Sequence, residues 1–335
     1  MSEANLFEQQ AANRRRSAWL TAGFVAFTAW VGFGGDLGFY LLTKDAESGY
    51  RHVIPLMGLF ASAVAAGVAW LSWKRGADQV LKATAAVELI EPATPQQKQL
   101  QNVVGEMAIA SGLPMPRIWI VPDPDPNAFA TGTDPQHAHV AVTEGLLAML
   151  SRDELQGVIA HEMAHIRNFD VRLMTLLAAM VGAILLLSDL FRNFLRFGGR
   201  VGGRRGGKRE GANPVAIVVL ALWLITLLIA PIVTRLLAMG VSRKREFLAD
   251  ATGAQFTRNP MALASALEKL EGATGATKAI AKGAAHMCIV DPSERRFAAK
   301  EGFLGMFATH PPISQRLVRL RGMAYQQAKA TPAVS

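Results

Sequence analysis

The chain has 335 residues, of which 51% are hydrophobic and only 18% charged, with a net charge of +9. That is long enough for one large domain or two modest ones, and too apolar for an ordinary soluble one. The single cysteine, Cys288, excludes an internal disulfide and reads as a small buried thiol in a reducing compartment.

Residues 1–17 form a polar, basic lead. Residues 18–42 are apolar except for Asp36, and residues 53–73 carry no charge at all. A helix needs roughly 20 residues to cross a bilayer core, so two spans are expected within 18–73, joined by "TKDAESGYRH". The apolar run after "NRRR" is longer than that of a signal sequence, and no clear cleavage site follows, so it reads as a retained span. Arg14, Arg15 and Arg16 precede the first span, and Lys74 and Arg75 follow the second. The positive-inside rule therefore places the N-terminus and the residues after Lys74 in the cytoplasm.

A globular stretch comes next. "TPQQ" carries a cap residue, proline at the first helical position and glutamine at the third, which opens a helix running to about Gly112. "PRIWIVPD", "NAFATG" and "HVAVTEG" read as strands, the last two joined by "TDPQ". "SRDE" is a capping box that starts a long helix, and no proline or glycine run stops it before about Asp189. One helix is thus expected to carry the following motif and continue toward the bilayer. Two further apolar segments, 171–190 and 212–234, are read as a membrane-embedded helical hairpin. Its loop holds seven basic residues between Arg192 and Arg209, so a crossing hairpin breaks the positive-inside rule and sets these arginines on headgroups.

"HEMAH" places His161 and His165 one helical turn apart, where both imidazoles can reach one metal ion. Glu162 points about 100° away, suited to a metal-activated water rather than to the ion itself. Zinc in such a site takes a third protein ligand and keeps a fourth position open. No histidine follows at close spacing; Asn168 and Phe169 stand there instead. "REFLAD" offers Glu246 and Asp250, four apart on one helical face, the first as third ligand and the second as acceptor from a ligand imidazole. An acidic pair alone is more often a solvated face; the histidine motif is what changes its reading. "NAFATG" could be an edge strand pairing with an extended substrate through Asn127, Ala128 and Phe129. His310, stiffened by two prolines, could donate to a developing oxyanion, and Arg316 could pair with an acidic group near the site or lie on the surface. His137 and His139 read as exposed residues near a loop.

"HEMAH", "SRKREFLAD", "NAFATG" and "THPPISQR", in this order after two membrane segments, resemble the HtpX-type membrane zinc metalloproteases, relatives of the CAAX prenyl proteases. The resemblance covers nearly the whole chain. It implies a mainly α fold: multi-pass membrane helices with a zincin-like (gluzincin) catalytic domain containing a small antiparallel β-sheet. It implies one Zn2+ per chain on His161, His165 and Glu246, with Glu162 as catalytic base. It further implies cytoplasmic-facing endopeptidase activity at a bacterial inner membrane, associated with membrane-protein quality control.

The expected organisation is a cytoplasmic lead (1–17), two spans (18–73), the first part of the catalytic domain (74–170), the hairpin (171–234) with its Gly/Arg-rich loop (192–211), the second part of the catalytic domain (235–325) and a tail (326–335). Expected partners are protein or peptide substrates, membrane proteins above all, and the lipid bilayer. Nucleic acid is not expected, because no aromatic residue lies between Gly198 and Gly211 to stack bases. A processing protease for lipidated peptides and a zinc-bound scaffold without turnover are the alternatives. The second has no use for Glu162.

Overall fold

The computed structural model describes residues 3–43, 54–178, 218, 221–226, 243–273, 287–290 and 311–330. These fall into two compact units. The first gathers residues up to Ser17, Lys74–Ala179 and the residues from Leu237 on; the second gathers Ala18–Trp73 and Met180–Leu236.

The second unit rests on two helices that continue into the first, α1 (Glu3–Thr43) and α2 (Leu56–Ala83). Within them Ala11–Gly38 and Leu56–Ala83 are long and apolar enough to cross a membrane. The two helices cross where a methyl group on Gly32 would meet Ala61 at 2.5 Å, an approach only a residue without Cβ permits. Trp223, in the helical stretch 221–226, donates its indole N–H to the Val31 carbonyl at 2.7 Å. α2 leaves helical geometry at Arg75, next to the boundary between the units.

In the first unit, α3 (Pro95–Ser111) starts at the Thr94 capping box and ends at Gly112 in the left-handed conformation. Four strands form one sheet in the order β1-β2-β4-β3: β1 (Val87–Glu88), β2 (Arg117–Val121), β3 (Ala128–Gly132) and β4 (Ala138–Thr143). β3 and β4 form the expected antiparallel hairpin, but β2 pairs with β4 in parallel, so the sheet is mixed and not purely antiparallel. The reason is non-local: β3 lies on the outer side of β4, and β2 takes the remaining side. Against this sheet and α3 packs a core of buried aliphatic side chains, among them Leu100, Val104, Val140 and Val158. Each contributes about 1.5–3 kcal/mol over leaving it in water.

β4 leads through α4 (Glu144–Met149) into α5 (Arg152–Arg167), which opens at the Ser151–Glu154 capping box. Glu154 also accepts from Ser265 and Lys269 on α7 (Pro260–Gly272), tying the start of α5 to that helix. The single long helix expected from here to about residue 189 does not form. Asn168 caps α5, Phe169 takes a φ of 58°, and helical backbone resumes at 170 and runs to 178. Neither residue is proline or glycine, so only the asparagine hints at the break. The residues after it, Val171, Leu173 and Leu177 among them, are buried in this first unit. α6 (Arg243–Thr257) lies against α5, and α8 (Ile313–Ala330) packs on α6 and α7. The whole Gly/Arg-rich loop (192–211), most of the segments around it and His310 lie outside the described residues.

Candidate metal centre

The α5 face that carries "HEMAH" turns inward, leaving His161 and Glu162 buried and the His165 side chain 13% exposed. α6 crosses this face closely. A Cβ on Gly253 would lie 3.0 Å from the His161 backbone nitrogen, and Ala249 is fully buried. That close approach carries Glu246 and Asp250, one turn apart on α6, to the two imidazoles.

The Nε2 atoms of His161 and His165 lie 3.2 Å apart. A Glu246 oxygen is 3.4 Å from His165 Nε2, and the other is 3.6 Å from His161 Nε2. Four-coordinate zinc, with ligands at about 2.0–2.2 Å, spaces its donors by about 3.3–3.6 Å. The three side chains therefore fit an ion of that size. Each imidazole also has a carboxylate at its far nitrogen: His161 Nδ1–H donates to Asp250 at 3.0 Å, and His165 Nδ1–H to Asp170 at 3.1 Å. Those bonds fix the tautomers and aim both Nε2 lone pairs at the same point. Beside them, Glu162 Oε1 is buried with no hydrogen-bond partner among the described residues. Such a cluster of acceptors calls for a cation.

Burial disfavours the charged His165 imidazole, yet Asp170 and Glu246 together push its pKa up to about 10. Burial raises the Glu162 carboxyl above the ordinary range, although His161 and His165 oppose it, and the Ala130 N–H donates to this carboxylate. Asp250 is pushed up by burial and brought back below its usual value by Arg316. Arg316, fully buried, donates Nε–H and an NH2 hydrogen to the two Asp250 oxygens at 2.9 and 2.7 Å, and a third hydrogen to the Ile289 carbonyl at 3.1 Å. Its guanidinium also sits 3.6 Å from Glu246. The choice between a surface position and one beside the site is settled for the second.

The cleft over these groups is lined by Ala130, Val171 and Met174 and walled by Met287, Cys288 and Ile289. That wall is seated on the open side of β3. Ile289 N–H donates to the Ala128 carbonyl at 3.0 Å, Phe129 forms a bridge with Cys288, and the Asn127 amide donates to the Val290 carbonyl at 2.9 Å. The edge at Asn127, Ala128 and Phe129 is thus taken by the chain's own 287–290 and is not open to a substrate strand in this state. His139 is buried, not exposed: it accepts from the Trp119 indole at 3.1 Å, while His137 is exposed and pairs with Asp134. Asp170 went unrecognised in the sequence. Its signal is slight, an asparagine fit to end a helix followed two residues later by a carboxylate.

Comparison with known proteins agrees with this geometry. Residues 94–324 match peptidase family M48, and the chain belongs to that family. It is a protease related to the HtpX-type enzymes, and the family's metalloprotease chemistry implies a metal. The Protease HtpX homolog of Caldanaerobacter subterraneus subsp. tengcongensis is 44% identical over 255 residues, 76% of this chain and 80% of that protein. The Protease HtpX homolog of Streptococcus gordonii is 36% identical over 320 residues, covering 95% and 100%. Among solved structures, S. mikatae Ste24p aligns with a TM-score of 0.43 at 16% identity, over 90% of this chain and 65% of that one.

Proposed function

We propose that the protein is a zinc-dependent, multi-pass membrane endopeptidase with one Zn2+ per chain on His161, His165 and Glu246. The observation that carries this reading is the set of three side chains whose ligand atoms lie within 4.8 Å of one another, each imidazole backed by its own carboxylate. Held by His161, His165 and Glu246, the ion would supply Lewis acidity toward a water and the scissile carbonyl. Glu162 accepts the proton of the attacking water at Oε1 and delivers it to the leaving amine. Burial raises its pKa above the ordinary carboxylate range, the direction a general base needs. Asp250 keeps His161 in the ligand tautomer. Asn127, Ala128 and Phe129 act on the substrate by seating the 287–290 wall, and His310 serves as an oxyanion donor.

Substrates are extended protein segments, drawn from membrane proteins under quality control. The enzyme sits in the bacterial inner membrane with its active site facing the cytoplasm. The apolar stretches of α1 and α2, with Arg14–Arg16, Lys74 and Arg75 at their ends, support that orientation. The test is metal content after dialysis. Glu246→Ala is expected to lose zinc, since three protein ligands fall to two, and Asp250→Asn to weaken binding roughly 10- to 100-fold. Full metal retention by Glu246→Ala would place the third ligand elsewhere.

A further inference from the structure

We propose that Asn13, in the N-terminal lead of α1, is a positioning residue of the metal centre that acts through Asp170 on His165. Asn13 is 4% exposed in a segment whose sequence reads as a solvated basic lead. Its amide nitrogen donates to Asp170 Oδ1 at 2.8 Å and to the Asn168 carbonyl at 2.9 Å. The other Asp170 oxygen is the one that holds His165 Nδ1–H. A hydrogen-bonded path therefore runs from Asn13 to Asp170 to His165, whose Nε2 faces the site.

The two bonds do separate work. The one to the Asn168 carbonyl grips the end of α5, where Phe169 turns the chain at a φ of 58°. The one to Asp170 fixes the carboxylate plane so that Oδ2 meets the imidazole. The other described donor to Asp170 Oδ1 is Arg245, at 3.5 Å, the outer limit for a hydrogen bond. Asp170 is 1% exposed, so no bulk water can replace the amide. An imidazole ligand depends on such a partner for tautomer and ring orientation, and loss of one typically weakens metal binding 10- to 100-fold. Asn13 stands one bond further out, so the expected effect is smaller. It also lies outside residues 94–324, the stretch that the family model matches.

The inference rests on His165 being a ligand. The experiment titrates Zn2+ against a chromophoric chelator in the full-length, detergent-solubilised protein. Asn13→Ala should weaken Zn2+ binding roughly 3- to 10-fold, less than Asp170→Asn at roughly 10- to 100-fold. The double variant should bind no more weakly than Asp170→Asn alone, because both changes act on one path. Asn13→Asp preserves the shape but sets a carboxylate against Asp170, and should bind at least as weakly as Asn13→Ala. Ser17→Ala, which removes another buried side chain of the same helix, should bind like wild type. Binding by both Asn13 variants within twofold of wild type, a double variant whose loss is the product of the single ones, or an equal loss in Ser17→Ala overturns the proposal. His165→Ala in parallel separates the two claims. If it keeps wild-type affinity, the ligand assignment falls and takes this proposal with it; if it loses Zn2+ while the Asn13 variants do not, only the proposal falls.

Discussion

Arg316 carries its charge with none of its side chain in water, and what tolerates that charge is the pair of carboxylates around it. Arg316→Ala leaves Asp250 buried without its counter-charge, and breaking a buried pair in this way costs about 3–5 kcal/mol. Arg316→Lys should not restore the loss, because one ammonium cannot grip both Asp250 oxygens and reach the Ile289 carbonyl. Denaturant unfolding of the metal-free protein checks both; a midpoint unchanged in Arg316→Ala would mean the network adds nothing to stability. His165 supplies a prediction about pH. Its metal-free folded pKa, about 10, lies above the ordinary 6.5, so its contribution to stability is complete below 6.5 and is lost as pH rises through 10. The melting temperature of chelator-stripped protein should fall between pH 7 and 10 by more than that of His165→Ala; parallel curves for the two would contradict it. The pairs His161–His165 and Glu246–Asp250 were legible because each repeats at the helical spacing of four. Asp170 and Arg316 were not assignable, since their partners come from a chain break and from elements far apart in sequence.

Among the elements, α6 fits closely on α5, where a Cβ added at Gly253 would lie 3.0–3.1 Å from backbone atoms of Ala160 and His161. Backbone cannot give way cheaply, so Gly253→Ala should cost about 1–3 kcal/mol by overpacking and weaken metal binding by moving Glu246 outward. Gly105→Ala is the opposite case. Gly105 lies inside α3 with nothing within 4 Å of an added Cβ, so alanine there should stabilise by about 0.5–1 kcal/mol. Thermal unfolding of the two variants side by side decides it, and equal signs would contradict the packing described. Helix starts and strands were readable because their signals are local: Thr94 and Ser151 with their capping partners, and alternating β-branched residues in β2 and β4. The parallel pairing of β2 with β4 was not, since no local signal encodes which strand lies beside which. The break at Asn168–Phe169 escaped because a left-handed phenylalanine is held by tertiary contacts against its own preference, at a cost of roughly 1–2 kcal/mol.

At the scale of the whole molecule, one unit holds two long apolar helices and the other is built around buried charges. Asp36, the one charged residue in residues 18–42, accepts the Met57 and Gly58 N–H groups at 3.3 and 2.6 Å and so satisfies the start of α2. It thereby has a structural role inside the apolar unit, and Asp36→Leu should destabilise the detergent-solubilised protein by about 1–3 kcal/mol, the cost of orphaned buried donors. Whether the hairpin expected from the sequence between 171 and 234 crosses the bilayer can be read by labelling Gly203→Cys, in a Cys288→Ser background, with an impermeant maleimide. Labelling of intact cells means that it crosses, and labelling only after lysis means that it does not. The central claim is that one buried carboxylate moves protons next to a metal it does not bind. Glu162→Gln isolates it, measured as bound zinc per chain together with cleavage of casein. Wild-type zinc content with proteolysis abolished is the expected result, and cleavage at the wild-type rate would contradict it.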